Sequence, residues 1–171
     1  MVYLLQDDWI CPTVHLSGTL GGMTELRTTA QRITDTQRLL ETAQSGWLST
    51  AGAGGRAHLI ACTAWWHDGE VWVATRGGTR TARNLRSTHH ARLALGSTED
   101  ATLLDLEAED ITPAAQSPAI AEGYRAAAGW DPREEGPDWV FVRFRPTRIQ
   151  AYRGYEETPD SDVLRDGRWL D

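Results

Sequence analysis

The sequence predicts a mainly β protein: a small antiparallel barrel of six or seven strands, with one helix ahead of them and two inserted between them. Three observations carry this. Short runs of alternating apolar and polar residues recur along the chain at strand period. Turn signals separate them roughly every 8–12 residues. No unit of roughly 20–50 residues repeats, which sets aside solenoids and propellers. A barrel also closes the sheet edges that an open sheet leaves exposed. At 171 residues the chain is long enough for one domain with a substantial core.

Composition narrows the partners. The net charge of −7 argues against a general nucleic-acid binder. All 17 basic residues are arginine, so lysine Schiff-base chemistry is excluded. Two cysteines, Cys11 and Cys62, lack metal-ligand spacing and form no disulfide framework; thiols in a reducing cytoplasm are the expected state. Met1–Ile10 carries Asp7 and Asp8 without a basic start, unlike a signal peptide. No apolar run approaches the roughly 20 residues of a membrane helix.

Residues 1–30 show no sustained period and read as a loose N-terminal arm, within which Met23 is an alternative start. Residues 31–155 hold the barrel, and 156–171 form a C-terminal tail. Thr34–Ser45 reads as the first helix, with Thr34 and Gln37 as a capping box and Gly46 as its stop. Trp47–Thr50 is a short strand and Ala51–Gly55 a turn. Arg56–Trp66 is apolar on both faces and is expected to be central. The Asp68-Gly69 pair marks a tight hairpin into Val71–Thr75. Ala91–Leu95 and Ala101–Asp110 are strands. Pro118–Ala128 is a helix with Ala119, Ile120 and Tyr124 inward. Trp130–Asp138 is a Pro- and acid-rich loop, and Trp139–Phe144 with Arg148–Arg153 a closing strand pair around Pro146.

The stretch Val71–Leu85 is the most informative. Its strand turns over Gly77 and Gly78 into a helix whose expected N-cap is Thr79. The start of such a helix leaves N–H groups free for an anion. Arg76, Arg80 and Arg83 surround it, and from Arg76 to Arg92 there are five arginines and no acid. Two readings stand side by side: a phosphate-binding corner, and a solvated basic helix.

The order of these elements, ending in Gly78-Thr79-Arg80-Thr81-Ala82-Arg83-Asn84-Leu85, resembles the pyridoxamine 5′-phosphate oxidase-like superfamily of split barrels. The resemblance covers roughly Thr34 to Arg153. It implies FMN, or alternatively deazaflavin F420, as cofactor, hydride transfer to or from a small molecule, and a homodimer with sites at the subunit interface. It assigns the phosphate to Thr79 and Arg80, with Thr75, Arg76, Gly78, Thr81 and Arg83 around them, and the isoalloxazine ring to Ala61, Cys62 and Thr63. Thr81 stands where the family usually has Lys or Arg. Leu59 replaces the arginine of the true oxidase, and the Trp169-Leu170-Asp171 ending departs from its tail. The likeness is therefore to flavin- or F420-dependent relatives rather than to the vitamin B6 oxidase itself.

No catalytic triad is legible. Cys62 reads as a core residue. Trp65, Trp66 and Trp72 are candidates for stacking on a ring or for core and interface. Glu107, Glu109 and Asp110 read as exposed acids. A second class of function remains: a non-catalytic protein of the same fold that binds or senses a flavin, or holds haem. For haem, His89 or His90 would be the axial ligand.

Overall fold

The structure, a computed structural model, describes residues 26–171. The expected N-terminal arm, with Met23 and Cys11, falls almost wholly outside the described residues. The chain forms α1 (Thr29–Leu40), β1 (Gln44–Ala51), β2 (Ala57–His67), β3 (Glu70–Arg76), α2 (Arg80–Thr88), β4 (His90–Gly96), β5 (Asp100–Pro113), α3 (Pro118–Ala128), β6 (Trp139–Arg153), β7 (Asp162–Arg165) and β8 (Arg168–Trp169). All strand pairings are antiparallel. The strand order β3-β2-β1-β4-β5-β6, with β6 pairing back onto β3, closes a six-stranded barrel. The expected barrel is thus present, and β7 and β8 add a hairpin outside the closure.

The hairpin at Asp68-Gly69 forms as its residues require. Both have positive φ, 52° and 82°, the geometry of a type I′ turn that matches strand twist. The barrel interior is filled by the inward halves of the strands, including Leu48, Val71, Val73, Leu93, Leu104, Phe144 and Ile149. A second cluster builds on Tyr124 and Phe141 beneath α3, edged by Trp65, Trp72, Trp130 and Trp139.

Several expectations are corrected. The first helix starts one and a half turns earlier than expected. Thr28, not Thr34, is its N-cap, in a capping box with Gln31, while the Thr34 hydroxyl donates to the Ala30 carbonyl from inside the helix. Gly46 ends no helix; it lies in β1 opposite Cys62 and Leu95. A Cβ there would sit 2.5 Å from the Ala94 carbonyl oxygen and 2.6 Å from a Leu95 methyl, so close approach of β1 to β4 requires glycine. In α3, Ala121 and Tyr124 are buried and Ala119 is exposed. The closing pair of strands is a single strand, β6. Pro146 falls at a register shift against β5, between the stretch of β6 that pairs with β3 and the stretch that pairs with β7. No ladder N–H is required at that position.

The C-terminal tail is likewise structured. Asp166 and Gly167, at φ 52° and 74°, turn β7 into β8. Val163 and Leu164 join the main core, and Trp169 packs on Trp66 at 6.3 Å.

Candidate functional site

The expected central strand, β2, is where the barrel opens. It pairs with β1 from Ala57 to Ala64 but with β3 only from Ala64 to His67. Beyond Val73, β3 leaves β2 and continues along β6 to Arg76. The two strands splay apart, so among the described residues one edge of β2 from Ala57 to Thr63 has no strand partner. The strand lies between β3 and β1 in the sheet order, as expected of a central strand, but only one of its faces is buried, and Leu59 on the other is 59% exposed. An unpaired strand edge presents N–H and C=O groups that a ligand can meet.

The split holds a groove of about 570 Å³, within the range of small-molecule sites. Ile60–Thr63 form one bank and Ala74 with Thr75 the other; Trp47, Trp130 and Trp139 add aromatic surface. The structure therefore brings Ala61, Cys62, Thr63 and Thr75 to one place. Cys62 is on the inward side of β2, packed against the core, and burial pushes its thiol up to about 11. It stays protonated at neutral pH and is a poor nucleophile. The Tyr124 hydroxyl donates to the Thr63 carbonyl at 3.0 Å, tying α3 to this bank.

Thr75 leads to the strand–helix corner. The Thr75 and Thr79 hydroxyls lie 3.3 Å apart. Thr79 is the N-cap of α2: its oxygen accepts from the Ala82 N–H at 3.2 Å, and its hydroxyl donates to the Arg76 carbonyl at 2.8 Å. The N–H groups of Arg80 and Thr81, first in the helix, have no intrahelical acceptor. They are the donors that the corner presents. Ala82 and Leu85 seat α2 on the barrel at 0% exposure, and the Asn84 amide donates to the Thr50 hydroxyl at 3.0 Å.

The arginines divide. Arg83 donates to the Gly78 carbonyl and Arg86 to the Gly77 carbonyl at 2.7 Å, so both brace the glycine turn. Arg76 lies over the Trp139 ring, 5.6 Å from its centroid, and 3.5 Å from Asp138. Asp138 in turn accepts the Gly77 N–H through its carbonyl at 2.8 Å. Thr81 is buried in the fold. Among the described residues Arg80 alone of the corner arginines Arg76, Arg80, Arg83 and Arg86 has no such partner.

Other candidates are elsewhere. Trp65 stacks on His67 at 4.5 Å, Trp66 packs tilted against Trp169, and Trp72 meets Phe141 edge to face, so these three serve packing. His89 caps the C-terminal end of α2 with a left-handed backbone, φ 61°, beside Arg86, Glu109 and Asp110 rather than in the groove. Glu107 and Glu109 pair with Arg145, and Glu109 also with Arg143. Among the described residues no group of three His, Cys, Asp or Glu is arranged to hold a metal, and no helix is long and apolar enough to cross a membrane. Trp130 and Trp139 were missed as groove residues. Their flanking Pro and acid residues mark a loop, and only the tertiary fold lays that loop against the split.

No protein-family model and no curated protein matches the sequence. Solved structures do. A structure titled F420 reductase matches with a TM-score of 0.57 at 19% identity, over 66% of this chain and 94% of that one. A putative pyridoxamine 5′-phosphate oxidase from Listeria innocua matches at 0.56 and 17%, over 70% and 96%. Campylobacter jejuni ChuZ matches at 0.64 and 10%, over 78% and 59%. At these identities the likeness speaks for the fold, which is the pyridoxamine 5′-phosphate oxidase-like split barrel.

Proposed function

We propose that this split barrel binds a flavin-type cofactor, FMN or alternatively F420, and transfers hydride between it and a small molecule. The observation that carries the reading is the continuity of the site. The open edge of β2, the groove and Thr75 run directly into the N-terminal end of α2. A flat ring against the strand edge and a phosphate at the helix start would use both features together. The fold shared with a structure titled F420 reductase and with a putative pyridoxamine 5′-phosphate oxidase supports the same cofactor class.

The cofactor would supply the hydride chemistry. The chain's own residues bind and orient. Ala61, Cys62 and Thr63 offer backbone along the ring. The Arg80 and Thr81 N–H groups and the Arg80 guanidinium would hold the phosphate, and Thr79 fixes the helix start. The space beside Gly78 is open, since a Cβ there would meet nothing within 4 Å. With Thr81 in place of a basic residue and Arg83 and Arg76 engaged nearby, most of the side-chain charge falls to Arg80.

Arg80→Ala should therefore weaken cofactor affinity about tenfold to a hundredfold, the value of one charge-assisted contact, with no change in melting temperature. Arg168→Ala, in β8 of the outer hairpin, is the control. Titration of apoprotein with FMN and then with F420 checks it. Equal affinities for parent and both variants would make the helix only a solvated face.

The second reading, binding without turnover, draws on the described groove residues, which include no ionised acid or base. A visible spectrum of purified protein separates the possibilities. Flavin bands followed by loss of colour on reduction and its return with an added acceptor support turnover. A Soret band would point to haem, and His89 or His90 would then be tested as its ligand.

A homodimer belongs to the same proposal. Trp47, 56% exposed, and Leu59 stand on the outward face of β1 and β2, with Ala61 and Ala94 the cross-strand neighbours of Trp47 and Ser49 that of Leu59. An exposed apolar face of this kind suits a subunit interface. Light scattering at micromolar concentration should give twice the 19.0 kDa chain mass; a monomer would refute it.

A further inference from the structure

Among the described residues, three grooves of nearly equal size differ sharply in charge. Two of them, about 560 and 540 Å³, are rimmed by ionised residues, among them Arg27, Arg32 and Glu157 in the first and Asp35, Arg38 and Arg153 in the second. The third, in the barrel split, is bordered by no ionised side chain. Among the described lining residues its only titratable member, Cys62, is held in the neutral form by burial. Its outer end is formed by two indoles, Trp130 and Trp139, set edge to face at 5.1 Å and 70°. Trp130 is held from behind by Tyr124, again edge to face at 5.6 Å. Trp139 is held by Arg76 over its ring and by strand pairing with Arg76. These two rings are fixed in orientation, so a stacking surface there costs little ordering.

We infer that the Trp130–Trp139 end of the groove is the site of the second reactant, and that it selects an uncharged, planar aromatic molecule. This rests on the cofactor reading above and adds the substrate class to it. Two physical arguments carry it. A carboxylate or sulfonate entering the split would lose hydration with no cation among the described lining residues to compensate, since Arg76 outside the lining is engaged by the Trp139 ring and Asp138. An uncharged ring would lose little and gain apolar contact and ring–ring attraction from two indoles.

The test uses quinoline, uncharged at pH 8, and its anionic analogue quinoline-2-carboxylate. Ligand-detected NMR titrations are run on apoprotein and on protein saturated with FMN or F420, whichever binds. Quinoline is expected to bind at least tenfold more tightly than the carboxylate. Trp130→Leu should weaken quinoline about three- to tenfold while leaving cofactor affinity unchanged, and Tyr155→Leu, 87% exposed in the parent, should change neither. Ser45→Arg, on the exposed rim of the groove, should reverse or abolish the preference for the uncharged ring, and it decides the matter if Trp130→Leu does not fold. A carboxylate that binds the parent as well as quinoline does, or a charge preference that Ser45→Arg does not move, overturns the inference while the cofactor reading stands. Failure of both FMN and F420 to bind overturns the cofactor reading and the assignment of this ring as hydride partner with it.

Discussion

Phe144→Ala should lower the unfolding free energy by about 3–5 kcal/mol, the range for removing a buried aromatic ring. Phe144 is fully buried and lies where the barrel closes, opposite Val71 of β3 on one side and Ala108 of β5 on the other. Its ring fills the main core with Val71, Leu104 and Ile149. The neighbours are strand residues fixed by two ladders each, so the void cannot collapse without breaking pairing. At about 2–4 °C per kcal/mol for a chain of this size, the melting temperature should fall by roughly 6–20 °C. Urea unfolding at 25 °C checks the free energy. Cofactor affinity per folded molecule should stay near the parent value, the opposite of the Arg80→Ala pattern. A variant with parental stability would mean that β6 does not hold the barrel shut.

The fold was legible where the signals are local. Asp68-Gly69 between two alternating runs can only be a tight hairpin, and Gly77-Gly78-Thr79 after a strand announces a helix start. The first helix shows how local signals become ambiguous. Thr28 with Gln31 and Thr34 with Gln37 are equally good capping boxes. What chooses between them is the face the helix buries, Arg32, Thr36 and Leu40, at four-residue spacing, and that face is defined by strands far along the chain. The outer hairpin was readable. Asp166-Gly167 repeats the signal of Asp68-Gly69 and is flanked by Val163-Leu164 and Trp169-Leu170.

The site was legible only in part, and for a physical reason. Of the candidate segments, Ala61–Thr63 comes from the family resemblance alone, and Thr75–Arg83 from the helix-start pattern together with that resemblance. The groove exists because β3 abandons β2 for β6, a partner about 70 residues later in the chain. Nothing in the sequence of β2 announces this, and its apolar character on both faces suggested burial instead. The division of labour among the arginines was equally hidden. Arg83 and Arg86 reach back five and nine residues to glycine carbonyls, a choice set by the turn's geometry rather than by residue type. The long-range ion pairs are the extreme case, since Arg27 and Glu157 are 130 residues apart.

That pair supports the prediction with the second largest effect. Glu157 is only 5% exposed and accepts from the Arg27 guanidinium at 2.7 Å, from the Arg27 N–H at 2.9 Å and from the Arg153 N–H at 2.7 Å. Arg27 also contacts Asp35 and Asp100, so one carboxylate joins the entry of α1, the end of β6 and the β4–β5 turn. Burial by itself would raise the Glu157 carboxyl. The hydrogen bonds from Arg27 and from the two backbone N–H groups outweigh it and hold the group at about 2. Glu157→Gln keeps the shape but removes the charge and leaves Arg27 short of its most buried partner. The expected loss at pH 7 is about 2–3 kcal/mol, or roughly 4–12 °C in melting temperature. The pH dependence follows from the lowered value. Between an unfolded carboxyl at about 4.3 and a folded one at about 2, the unfolded state binds more protons, so the contribution is fully present above that window and fades as pH falls through it. Urea midpoints of parent and variant should differ at pH 7, differ less at pH 3, and converge as pH approaches 2. A gap that persists undiminished at the lowest pH would assign the loss to packing rather than to the charge on Glu157.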